Sequence, residues 1–200
     1  MIFAQSERLI LRQAREEDLE PLLVSWSDPV MTRYTGLKPD VRGFLTQLIA
    51  DMQVKQPGET EPGGPWYQFI VARREDGAML GDLGAGFGLP GERQVELGYR
   101  IHPAFHRRGY AREAVSALID YLVEAHAVHR LVGVAAADNA ASVATLRSLG
   151  FRQEGYFVRS YMLSEGEWVD DRYFALLADE WRDRNGASQN NNRSSTKTSS

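Results

Sequence analysis

Between Val95 and Val115 the hydrophobic period of the chain changes within a few residues, and that change limits what it can fold into. In "VELGYRI" the residues Val95, Leu97, Tyr99 and Ile101 alternate with Glu96, Gly98 and Arg100, the pattern of a strand with one apolar face. Past "HPAFHRRGYAR" the pattern is that of an amphipathic helix, "EAVSALIDYLVEA" over 113–125. Gly109 stands at the switch, where a glycine allows positive φ or a close backbone approach. The first turn of a helix presents unpaired N–H groups and the positive end of its dipole, which together bind anions, phosphates in particular. Arg107 and Arg108 can add charge-assisted hydrogen bonds. The same residues also fit a plain helix start with solvated arginines, so the short pattern does not decide between the two.

Elsewhere the chain alternates short strand and helix signals. "RLILRQA" (8–14) reads as a strand, and "REEDLEPLLVSW" (15–26) as a helix with acidic residues in its first turn. Val41, Phe44, Leu45, Leu48 and Met52 give a second helix over about 39–54. "KQPGETEPGGP" (55–65) is a loop carrying Glu59 and Glu61, long for a compact domain. Strands follow at 66–74, 78–87 and 93–101, joined by the turns "EDG" and "GLPGE". After the 113–125 helix come a buried strand (130–137), a helix (139–150) ending at Gly150, and a hairpin across "SEGE". Residues 1–182 are expected to form one α/β domain with about seven strands and four helices. The polar segment 183–200 is expected to be a disordered tail.

Composition narrows the classes of function. In 200 residues, 43% hydrophobic and 25% charged content fit a soluble globular domain. No run approaches a membrane span, and the N-terminus lacks the pattern of a signal peptide. Absence of cysteine removes thiolate chemistry and disulfides, which fits a cytoplasmic protein. A net charge of −4 argues against non-specific nucleic-acid binding through Arg107, Arg108 and Arg112, and favours a cationic partner. The four histidines show no metal-ligand spacing, so no metal is expected. "GDLGAGFG" (81–88) lacks the following helix of a dinucleotide site, and reads instead as a strand with small residues near a ligand.

Four ordered motifs carry a resemblance over residues 7–178: "ERLILRQAREEDLEPL", "HRRGYA" (106–111), "NAAS" (139–142), and Gly150-Phe151 followed by Glu154-Gly155. With them the chain resembles the GNAT superfamily of acetyl-CoA-dependent N-acetyltransferases, closest to the Rim-type ribosomal-protein acetyltransferases and their antibiotic-modifying relatives. The resemblance implies a mixed, mostly antiparallel sheet flanked by helices, and acetyl transfer to a primary amine by direct attack. It implies that His106, Arg107, Arg108, Gly109, Tyr110, Ala111 and Arg112 hold the cofactor pyrophosphate. The backbone along Tyr99, Arg100 and Ile101 is expected to meet the cofactor and to supply the oxyanion donor, and Asn139 to meet the pantetheine arm.

A primary amine is largely protonated at neutral pH, so a base is needed, and Glu96 is the candidate. Its alternative is a solvent-facing strand glutamate. Many relatives place a tyrosine four residues before the glycine of "GF" to protonate the departing thiolate; here that position is Leu146. Ser142 is the substitute suggested by the Rim-type branch, and it can equally be a helix-capping serine, as Asn139 can be an N-cap. Trp26, Tyr34 and Trp66 are candidates for the acceptor side, with core packing as the alternative. The acceptor is expected to be a cationic amine such as an aminoglycoside or polyamine, or else a ribosomal-protein N-terminus. A CoA-binding sensor without turnover is the alternative that Leu146 leaves open. Monomer and homodimer are both compatible with the sequence.

Overall fold

The computed structural model describes residues 1–35, 40–59, 66–88, 93–163 and 166–184. Strands β1 (Ile2–Gln5) and β2 (Leu9–Gln13) lead into helices α1 (Leu19–Ser27), α2 (Pro29–Thr32) and α3 (Val41–Val54). Strands β3 (Tyr67–Arg73), β4 (Met79–Phe87) and β5 (Gln94–Ile101) precede helix α4 (Tyr110–Ala125). Then come β6 (Arg130–Ala136), α5 (Ala140–Leu149), β7 (Arg152–Met162), β8 (Trp168–Leu177) and a final helix over 178–184. All eight strands form one sheet in the order β1-β2-β3-β4-β5-β6-β8-β7. Every pairing is antiparallel except that of β5 with β6.

The mixed, mostly antiparallel architecture agrees with the sequence reading, with one more strand and two more helices. The extra strand β1 is only four residues long and partly exposed, so it carries little period of its own. The short α2 has a clear local cause: Asp28 accepts from Val30 N (2.8 Å) and Met31 N (3.2 Å), and Pro29 holds the first helical position. The third difference is that 178–184 is helical, where the domain was expected to give way to a tail after 182; residues 185–200 lie outside the described ones, as does Glu61. No helix among the described residues is long and apolar enough to cross a membrane.

Two packing arrangements position the centre of the sheet. Trp66 lies across β4 and β5: a Cβ on Gly84, Gly86 or Gly98 would come within 2.8, 2.7 and 2.9 Å of its ring. Gly84 and Gly86 of "GDLGAGFG" therefore make room for an indole of this chain. On the other face α5 sits close to β6, where a Cβ on Gly133 would lie 2.7 Å from Leu146 Cδ2. Leu146 is buried in the main core with Leu118, Leu131 and Leu149.

Because Leu146 fixes the seat of α5, Leu146→Ala is expected to cost about 2–5 kcal/mol. Thermal unfolding would show it as a drop in Tm of roughly 5–15 °C for a domain of this size.

Candidate active site

Arg107 (φ 59°) and Gly109 (φ 79°) are both left-handed, and between them the backbone turns sharply into α4. The bond from Glu113 N to Gly109 O (3.0 Å) opens the helical ladder, so the amides ahead of it face outward from the first turn. His106, Arg107, Arg108 and Gly109 are exposed, Ala111 is half-buried and Arg112 is exposed. Tyr110 differs: its ring is in the core, so only its backbone belongs to the cradle. The imidazole Nε2 of His106 lies 2.6 Å from Ile101 O, tying the cradle to the end of β5.

A brace behind the cradle was not legible in the sequence. Glu113 accepts from Ser6 Oγ (2.7 Å), Arg8 N (2.8 Å) and Arg8 Nε (2.7 Å). Arg8 also donates to Arg108 O (3.1 Å) and stacks 4.5 Å from the centre of the Tyr110 ring. These partners are about a hundred residues apart in the chain, so no local pattern announces them. Burial opposes ionisation of Glu113, but the hydrogen bonds from Ser6 and Arg8 outweigh it and hold the carboxyl below its ordinary range.

Next to the cradle the sheet opens. The β5–β6 ladder runs from Gln94↔Arg130 to Leu97↔Gly133 and stops there, while β5 continues to Ile101 and β6 to Ala136. Both strands stay paired on their outer sides, through Gly81↔Ile101 and Ala136↔Asp171. Tyr99, Arg100 and Ile101 thus lie beyond the fork, where β5 has no partner on its β6 side. At the fork is a cavity of about 640 Å³. Glu96, Trp26, Tyr34 and Trp66, the four residues expected on the acceptor side, all line it.

Beside Glu96 and Arg100, two carboxylates that the sequence did not single out, Asp82 and Asp171, bring charge to this cavity. Asp82 is buried and paired with Arg100 (3.1 Å), whose guanidinium also stacks 3.7 Å from the Trp26 ring centre. The Arg100 side chain therefore faces this cavity, and only its backbone is left for the cofactor contact expected of it. Asp171, also buried, accepts from Ser160 Oγ (2.8 Å). Burial, and then the charge of Asp171, push the Glu96 carboxyl above its ordinary range. Glu59 accepts from Gln56 N (2.8 Å) and closes its own turn.

At the start of α5, Asn139 caps the helix by accepting from Ser142 N (3.1 Å), so its capping role is realised. Ser142 Oγ lies 2.9 Å from the Tyr99 hydroxyl, which also donates to Ser142 O (3.1 Å). Burial pushes the Tyr99 phenol up, against the hydrogen bonds that Ser142 and Thr145 offer it. Two hydroxyls thus meet beside the fork, while Leu146, a turn further on, points into the core.

A group carrying both a pyrophosphate and an extended amide arm fits this arrangement. The left-handed pair at Arg107 and Gly109 directs amides to an anion, and the free side of β5 offers backbone groups to an arm.

Comparison with known proteins gives the same direction. The acetyltransferase (GNAT) domain family matches residues 8–152. The chain is 30% identical to the uncharacterized N-acetyltransferase YoaA of Bacillus subtilis, over 86% of this chain and 95% of that protein. It is 34% identical to the [ribosomal protein uS5]-alanine N-acetyltransferase of Escherichia coli, over 42% of this chain and 43% of that one. An acetyltransferase of the GNAT family from Bacillus anthracis superposes with a TM-score of 0.75 at 26% identity, over 90% of this chain and all of that one (100%). The spermidine N-acetyltransferase of Vibrio cholerae, solved with CoA and spermine, shares the fold with a TM-score of 0.75 at 19% identity, over 88% and 99% of the two chains.

A valine at 109 would have to adopt φ near 79°, a strain of about 1–3 kcal/mol. Gly109→Val is therefore expected to weaken CoA binding about tenfold or more, and Arg107→Ala, at an exposed position, by no more than about fivefold; calorimetric titration measures both. Glu113 gives a pH signature. Its folded carboxyl titrates below its unfolded one, so its stabilisation is present above the ordinary glutamate range and is lost as pH falls through the folded value. The Tm difference between the wild type and Glu113→Gln should be largest near neutrality and shrink on acidification.

Proposed function

The chain belongs to the acetyltransferase (GNAT) family, and from that premise we propose that its acceptor is the primary amine of a small cationic molecule, such as an aminoglycoside. The observation that carries this reading is the cavity at the fork. Its size suits a small molecule, aromatic rings form its walls, and Glu96 and Asp171 line it without an ion pair among the described residues. Family members use acetyl-CoA, which supplies an acyl carbon already activated as a thioester.

The remaining chemistry falls to the chain. The amides of the α4 N-terminus bind the pyrophosphate, with Arg107, Arg108 and Arg112 adding charge around them. The Glu96 carboxylate removes the proton that an ammonium must lose before its nitrogen can attack. A carboxyl raised above its ordinary range is a better match to that task near neutral pH than an exposed glutamate. Backbone N–H groups beyond the fork, at Tyr99 or Arg100, donate to the acyl oxygen as negative charge builds on it. Ser142 Oγ, in contact with the Tyr99 hydroxyl, holds a proton for the leaving sulfur. These hydroxyls supply what the missing tyrosine at Leu146 would, and they favour turnover over a silent CoA-binding module.

A second reading has its own support. The local similarity to a ribosomal-protein alanine acetyltransferase favours a protein N-terminus, which also presents a primary amine. Thiol release measured with aminoglycosides, polyamines and alanine- or serine-starting peptides separates the two. Turnover with the peptides alone would replace the small-molecule reading.

Glu96→Gln should lower kcat about a hundredfold or more, with CoA affinity unchanged in titration. Activity requires ionised Glu96, so kcat/KM should rise with pH along a limb lying above the ordinary glutamate range. Removing the Asp171 charge with Asp171→Asn should move that limb to lower pH.

A further inference from the structure

Asp171 has a feature that its fold position alone does not explain. It is 6% exposed, it lines the cavity, and its side chain accepts from a neutral hydroxyl, Ser160 Oγ on its Oδ2 (2.8 Å). Its other oxygen takes no hydrogen bond from the described residues, and no Lys, Arg or His forms an ion pair with it among them. Arg100 is the one cation among the described lining residues, and it is engaged by Asp82. A carboxylate buried without a counter-charge is costly, and a bound cation would remove that cost.

The surrounding chain aims this carboxylate. The β7–β8 register shifts between Phe157/Asp171 and Tyr161/Val169, with Arg159 left-handed (φ 48°) inside the shift. Such a bulge re-aims side chains, and here it turns Ser160 onto Asp171 and Tyr161 into the cavity wall. The Tyr161 hydroxyl in turn donates to Thr35 O (3.3 Å), closing this end of the cavity over the segment that follows α2.

Glu96 sits opposite Val132, and Asp171 opposite Ala136, on the same face of the sheet. The offset is about 13 Å along β6 and about 10 Å across two strand spacings. Their side chains enter one cavity from two ends. We propose that Asp171 binds a second ammonium group of the acceptor, so that the protein prefers diamines to monoamines of the same length. The inference rests on the acetyl-transfer reading only in placing the reacting amine at Glu96.

Binding of hexamethylenediamine and hexylamine to the CoA-loaded protein, measured by calorimetry, tests it without requiring turnover. The wild type should bind the diamine more tightly, and Asp171→Asn should reduce that preference about tenfold or more. Ser160→Ala removes the hydrogen bond but keeps the charge, and should retain the preference. A preference absent from the wild type, unchanged in Asp171→Asn, or lost equally in Ser160→Ala would overturn the assignment. A series of diamines of increasing length on the wild type gives a check independent of any variant: affinity should peak at one length, and a flat series refutes a fixed second anchor. If the preference is present but no amine is acetylated, the functional reading fails and the Asp171 site stands. If monoamines and diamines are acetylated and bound alike, the reverse holds.

Discussion

Past Leu97 and Gly133 the two parallel strands at the centre of the sheet separate, and the backbone groups that face each other across the gap lose their ladder partners. Buried N–H and C=O groups need partners, so such a fork is stable only where something else can take them. Here the outer neighbours hold the strands in place: β4 follows β5 to Ile101, and β8 follows β6 to Ala136. The result is a slot through the sheet with rigid walls and free backbone on one side. The turn at Gly109, the capped start of α5 and the cavity all adjoin it. If the ladder closed, the cavity and the exposed β5 amides would vanish together, although the core would lose little.

Charge is distributed around the slot in an uneven way. On the cradle side, arginines and helix amides collect positive potential, and Glu113 serves as an anchor for Arg8 rather than as a counter-charge to a ligand. On the cavity side, Asp82 neutralises Arg100, which leaves Glu96 and Asp171 without an ion pair among the described residues. An anion on one side and a cation on the other are therefore both favoured. Net charge of −4 spread evenly over the surface would give neither preference.

Much of this was legible in sequence because the signals are local. The switch of period at Gly109, the Asn139 cap and the terminal Gly150 each depend on a few adjacent residues, and each is found where the pattern put it. Glu96, on the polar face of its strand, and Trp66, at the start of the 66–74 strand signal, line the same cavity. Short elements were harder: β1 is too brief to show a period, and α2 is announced only by Asp28-Pro29. Glycines were ambiguous in kind, since "GDLGAGFG" both makes room for the Trp66 indole and, at Gly84, lines the cavity.

The sequence by itself determined the class of fold, the turn at Gly109 into the start of α4 and the place of Glu96 on the polar face of its strand, because backbone conformation, helix capping and strand alternation act over a handful of residues. Only the tertiary structure decided which charges meet. Arg8 reaches Glu113 and Arg108, Arg100 turns to Asp82, Ser142 meets Tyr99, and a bulge in β7 brings Ser160 to Asp171. Electrostatics and hydrogen bonding depend on distance in space, and these distances are set by sheet register and by where the β5–β6 ladder ends. Neither quantity is carried by neighbouring residues in the chain.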